Sequence, residues 1–148
     1  MNILVLHGPN LNLLGEREPS IYGTTTLEEI NSELITLAEQ SSSVLKCVQS
    51  NHEGVLIDTI HVERKWMDAM IFNPGAFTHY AYALRDAVAA VNTTMIEVHL
   101  SDPEMREGFR HVSVFAGLPR VERIAGKGVE GYREALKKLI QSQEKRST

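Results

Sequence analysis

The run Ile3-Leu4-Val5-Leu6, followed at once by His7-Gly8-Pro9-Asn10, decides how the rest of the chain is read. Four consecutive apolar residues without polar alternation describe a strand covered on both faces, as in the interior of a parallel sheet. The abrupt change to polar residues, glycine and proline marks the strand's carboxyl end. The same pattern recurs outward from there, with residues 44–48, 70–72, 95–98 and 121–125 reading as four further strands. Apolar residues at helical spacing lie between them. Leu27, Ile30, Leu34, Leu37 and Ala38 share one face, and Thr26 with Glu29 forms a capping box. Ser50 and Glu53 are read as the cap of the next helix, and Thr78 as the cap of a third that turns Ala81, Leu84, Val88 and Val91 inward. Asp102-Pro103 reads as an N-cap followed by proline at the first helical position. Val129, Tyr132, Leu136, Leu139 and Ile140 align on a last helix, and residues 141–148 read as a frayed polar tail.

Strands alternating with amphipathic helices predict an α/β fold with a parallel sheet and right-handed crossovers. Five strands suit a flavodoxin-like three-layer sandwich of order 2-1-3-4-5. The 148 residues fit one domain, taken here as a single catalytic domain over 1–148. Nineteen acidic against fifteen basic residues give a net charge of -4, which argues against a nucleic-acid or anionic-membrane surface. Cys47 is the sole cysteine, so neither an internal disulfide nor a cysteine-based zinc site is expected. No apolar run is long enough to span a bilayer, and Met1-Asn2-Ile3 lacks the charged start of a signal peptide. The expectation is a soluble, cytoplasmic protein.

Ligands of open parallel sheets bind beyond the carboxyl ends of the strands. Here the first strand exits into His7-Gly8-Pro9-Asn10, the third into Asn73-Pro74-Gly75, and the fourth at His99-Leu100-Ser101. Polar residues also simply stop strands, so each exit alone is ambiguous. The irregular connection over residues 8–25 is far longer than the ~2–6 residues usual in such folds, which marks it as a functional loop or lid. It carries Asn10, Arg17 and Tyr22. A tyrosine is a poor base unless a cation stabilises its anion, and Arg17 is five residues away; equally, Arg17 is a solvated charge between two glutamates. Glu97 and His99 are two apart on one strand and therefore share a face. A carboxylate there would fix the imidazole's tautomer and favour its charged form, as a general acid requires. His79, Asp86, Arg106 and Arg110 complete the candidates, the two arginines being four apart and able to face one ligand. Spacing alone makes Arg85-Asp86 a surface charge pair. His52, His61 and His111 are assigned no role.

Gly126-Lys127-Gly128-Val129-Glu130-Gly131 matches the G-x-G-x-x-G pattern, but only a helix and a polar tail follow it here, so a tight strand-to-helix turn is expected rather than a dinucleotide unit. No phosphate-binding loop, metalloprotease motif or nucleophile elbow is present.

The segments Gly8-Pro9-Asn10-Leu11-Asn12-Leu13-Leu14-Gly15, Arg17-Glu18-Pro19 and Tyr22-Gly23 resemble the opening signature of type II 3-dehydroquinate dehydratases. Asn73-Pro74-Gly75-Ala76-Phe77-Thr78-His79 with Ala83-Leu84-Arg85-Asp86-Ala87 is similar to that family's second block. Glu97-Val98-His99-Leu100-Ser101 with Arg106 and Arg110 is similar to its third, and Gly126-Lys127-Gly128 with Gly131-Tyr132 to its final turn. The blocks occur in the family's order over nearly the whole chain. The stretch Asp102-Pro103-Glu104-Met105 departs from the family's usual asparagine and His-Ala.

The resemblance implies cofactor-free, metal-free dehydration of 3-dehydroquinate to 3-dehydroshikimate through an enolate. Tyr22 would remove the proton alpha to the ketone with Arg17 stabilising its anion, and His99, oriented by Glu97, would protonate the departing hydroxyl. Asn10 would help hold a water at the enolate oxygen. Asn73, His79 and Arg110 would bind the substrate's polar groups, and the Leu100 and Ser101 amides its carboxylate, as at a helix N-terminus. Asp86 would reach a neighbouring subunit's site in a homododecamer of trimers. The rival readings are a flavodoxin-like nucleotide or flavin binding module, which rests on fold analogy, and a scaffold without chemistry.

Overall fold

The sheet forms as the apolar runs require, four of its five strands extending by a residue or two beyond them. The computed structural model describes residues 1–146. Strands β1 (Asn2–His7), β2 (Val44–Gln49), β3 (Ala69–Asn73), β4 (Thr94–His99) and β5 (Val121–Ala125) are all parallel, in order 2-1-3-4-5. Helices α1 (Pro19–Tyr22), α2 (Leu27–Glu39), α3 (Glu53–Glu63), α4 (Tyr82–Val91) and α5 (Glu130–Arg146) connect or follow them. Successive strand residues point to opposite faces, so each central strand feeds two cores. Ile3, Val5, Ile71, Ile96 and Val98 pack under α2 and α5 with Ile30, Leu34 and Leu136. Leu4, Leu6, Met70, Phe72 and Met95 pack under α3 and α4 with Leu56, Ile60 and Leu84. Each such side chain fully buried contributes roughly 1.5–3 kcal/mol of transfer free energy, which is why Ile3–Leu6 of β1 and Ala69–Phe72 of β3 are apolar throughout.

Two strand exits interlock. A Cβ on Gly8 would lie 2.4 Å from the Pro74 carbonyl oxygen, so only glycine lets β1 leave the sheet against the turn after β3. Gly75 adopts φ 57° and faces the Pro9 carbonyl in return. The capping box at Thr26 and Glu29 is present, with both reciprocal hydrogen bonds. Asp102 caps a short 3-10 turn, Pro103–Met105, through the Glu104 N–H.

Four local expectations need correction. The segment 8–25 is not irregular throughout: a 3-10 turn at Leu11–Leu13 buries Leu11, Leu14 follows it into the core, and α1 follows. Ser50 does not cap α3; its hydroxyl accepts from the His52 N–H at 2.9 Å, closing a turn before the helix, whose N-cap is His52. Thr78 does not cap α4, which starts at Tyr82; it sits in a 3-10 turn, Gly75–His79, fully buried, with its hydroxyl donated to Glu97. A buried carboxylate left short of donors costs more than an exposed helix N–H. Residues from 141 continue α5 as far as Arg146, because glutamine, glutamate and lysine are good helix formers on a face turned to solvent; residues 147 and 148 lie outside the described residues. Among the described residues no helix is long and apolar enough to cross a membrane.

Candidate active site

Because β1, β3 and β4 all end in polar side chains, His7, Asn73 and His99 gather at one edge of the sheet. A pocket of about 200 Å³ opens there, sized for one small organic molecule. Asn10, Arg17, Tyr22, Asn73, His79, His99, Leu100, Ser101 and Arg110 all line it, and so does Arg106. Glu97 lies beneath His99, 1% exposed. Asp86 does not join them: it is exposed on α4, and among the described residues no ion pair links it to Arg85, whose guanidinium serves the Val114 and Ala116 carbonyls instead.

α1 carries Tyr22 at its end, entered through Glu18 in a left-handed conformation (φ 37°) and Pro19 at its first position. The Tyr22 hydroxyl accepts from two guanidiniums, Arg106 Nη1 at 2.8 Å and Arg17 Nη2 at 3.3 Å. Both also lie over the ring, with Cζ 4.6 Å (Arg17) and 5.6 Å (Arg106) from its centroid. Two positive charges thus converge on a single phenol oxygen in the pocket wall. Arg106 was visible in the sequence as a ligand-facing arginine but not as Tyr22's partner; nothing in the spacing links two residues 84 positions apart.

On the other side, His99 Nε2 donates to Glu97 Oε1 at 2.7 Å, which leaves Nδ1 as the nitrogen able to serve a ligand. Burial pushes the Glu97 carboxyl up, but the His99 hydrogen bond and charge, with the hydroxyls of Thr78 and Ser113, outweigh it and hold the group below the usual carboxylate range. Ser113 donates at 3.0 Å to Oε2; no spacing pairs the two, since Ser113 lies 16 residues on, in the irregular connection between β4 and β5. His79 donates from Nδ1 to the Val112 carbonyl at 2.7 Å. Burial, together with the nearby charges of His99, Arg110 and Arg123, lowers its pKa despite that bond, so Nε2 is available as an acceptor. Arg110 is held by Glu107 at 2.7 Å.

The turn at Leu100 and Ser101 is fixed from behind: Gly126 N–H donates to the His99 and Ser101 carbonyls and Gly128 N–H to that of Leu100. The glycine-rich segment is thus a turn whose amides are spent on protein. The helix expected after Ser101 is only the three-residue turn Pro103–Met105, too short for an appreciable dipole. In the departing stretch Pro103 is buried and lines the pocket, whereas Met105 is 82% exposed, so the departure falls largely on the surface.

The dehydroquinase class II family model matches residues 1–140. A 3-dehydroquinate dehydratase of Pelotomaculum thermopropionicum is 56% identical over 137 residues, covering 93% of this chain and 94% of that protein. One from Bacillus licheniformis is 51% identical, covering 97% and 99%. The crystal structure of type II dehydroquinase from Butyrivibrio crossotus superposes with a TM-score of 0.90 at 43% identity, covering 94% of this chain and 97% of that one. Fold, strand order and likeness along nearly the full length therefore agree, and the chain belongs to the class II dehydroquinase family.

Proposed function

We infer that this chain dehydrates 3-dehydroquinate to 3-dehydroshikimate, a step of the shikimate pathway, with side chains alone carrying the protons. The Tyr22 oxygen, ionised between Arg17 and Arg106, takes the proton from the carbon alpha to the ketone. The C–H electron pair becomes an enolate, whose charge a water held by Asn10 stabilises. Collapse of the enolate restores the ketone, forms the conjugated carbon–carbon double bond and expels the hydroxyl beta to the ketone. That hydroxyl leaves as water, taking its proton from the His99 imidazolium that the Glu97 carboxylate supports. One proton is gained at Tyr22 and one lost at His99, so transfer between them through solvent resets the site. Asn73, His79 and Arg110 bind the substrate's polar groups, and the Leu100–Ser101 turn its carboxylate.

The observation that carries this reading is the phenol oxygen between two guanidiniums in the same pocket as a carboxylate-backed imidazole. The segment 8–25 acts as the lid that excludes water. The chain assembles as a dodecamer of trimers in the cytoplasm, where Asp86 reaches a neighbour's site; its exposure on α4 beside exposed Tyr82 supports this. Sedimentation giving a monomer would refute the assembly. For the chemistry, the conjugated enone product is followed by its ultraviolet absorbance. Tyr22→Phe should nearly abolish turnover while binding of substrate persists, and unchanged turnover would refute its role.

A further inference from the structure

The apolar layer between the sheet and α5 contains a polar seam of which the reaction above uses one member, Asn73. His7 and Asn73 are register partners at the ends of β1 and β3, so their side chains leave the sheet on the same face. Tyr132 of α5, fully buried, meets both there. Its hydroxyl is 2.8 Å from His7 Nδ1, and Asn73, on the same face, acts on the phenol as a hydrogen-bond donor would, opposing the rise in its pKa that burial causes. His7 Nε2 lies 2.8 Å from Asn31 Oδ1 on α2, and Asn73 Oδ1 accepts the Gly75 N–H at 3.1 Å.

Donors and acceptors along this chain fit together in one way. Asn31 Oδ1 only accepts, so His7 Nε2 carries a hydrogen. Burial lowers the His7 pKa to about 4 against the opposing Asn31 bond, so the ring is neutral and Nδ1 accepts. Burial pushes the Tyr132 phenol far above its ordinary value; it stays protonated and donates to Nδ1. Its oxygen is then left as an acceptor, which suits the Asn73 NH2 and not the Asn73 carbonyl. A reversed Asn73 amide would set NH2 against the Gly75 N–H, and its oxygen against one whose proton is already committed.

We propose that His7 and Tyr132 are positioning residues that hold the Asn73 amide in one orientation, so that it offers the pocket a fixed donor and acceptor for the substrate's polar groups. This rests on the reaction inferred above, in which Asn73 binds substrate.

A double-mutant cycle with Tyr132→Phe and Asn73→Ala tests it by steady-state enone formation. Tyr132→Phe should raise KM about tenfold with kcat nearly unchanged, and should raise it no further when added to Asn73→Ala. Effects that multiply would mean that Tyr132 acts independently of Asn73, and would overturn the proposal. Should Tyr132→Phe not fold, nitrogen-15 NMR of the histidine-labelled native protein decides. A neutral Nε2–H tautomer of His7 at pH 6 supports the chain; an Nδ1–H tautomer or an imidazolium breaks it. Native protein that forms no enone would sink the reaction itself, while the His7 tautomer still tests the chain.

Discussion

Arg106 donates to the Tyr22 hydroxyl at 2.8 Å, closer than Arg17 at 3.3 Å, although 84 residues separate the first pair and five the second. Two guanidiniums therefore meet at this one oxygen from two elements, the segment 8–25 and the turn after β4. Arg106 is also within 3.4 Å of Ser101 Oγ and is anchored beside the pocket wall. Arg106→Met should lower kcat on the order of 10²–10³-fold, the usual scale for removing one preorganised charge-stabilising donor. Arg17→Met should cost less if hydrogen-bond length governs; the two kcat values measured side by side check this.

The charge of Glu97 is expected to matter more than its shape. Glu97→Gln keeps the size and a hydrogen bond to His99 but removes the support for an imidazolium, and kcat should fall on the order of 10²–10⁴-fold. Ser113→Ala removes one donor to a buried carboxylate and should destabilise the fold by roughly 1–3 kcal/mol in urea titration. The sign with pH follows from the depressed carboxyl. Its stabilisation is complete above the ordinary value of 4.5 and is lost as pH falls through the lower folded value; Glu97→Gln should lack this acid loss.

His7 predicts a second, separate dependence. The unfolded chain protonates this residue near 6.5 and the fold only near 4. Between those values the unfolded state binds the extra proton, so stability falls as pH falls from 6.5 to 4 and levels off below. The full loss is roughly 3 kcal/mol. Denaturation midpoints at pH 7 and pH 4.5 should differ in the native chain, and His7→Leu should remove this contribution in that window.

Closure of the segment 8–25 should be visible to a protease. Arg17 is partly exposed on it, with 26% of its side chain accessible, and offers trypsin a cleavage site. Substrate or an enolate mimic that draws Arg17 and Tyr22 onto the pocket should slow cleavage after Arg17. Equal cleavage rates with and without ligand would count against a lid.

Short-range physics determined much of this protein. Continuous apolar runs such as Ile3-Leu4-Val5-Leu6, too short for helices and bounded by turn residues, read as strands buried on both faces, and their alternation with amphipathic helices makes the sheet parallel. The Thr26–Glu29 capping box and the same-face pairing of Glu97 with His99 depend on residues within three positions of each other, so spacing sufficed. Partners of buried polar groups are another matter. Whether Thr78 caps a helix or serves Glu97, which arginine sits nearer Tyr22, and that Tyr132 meets both His7 and Asn73 depend on which elements pack together. A buried donor takes whatever acceptor the packing brings to it, because leaving it unpaired costs more than any local preference. Periodicity carries no record of that choice; only the assembled layers make it.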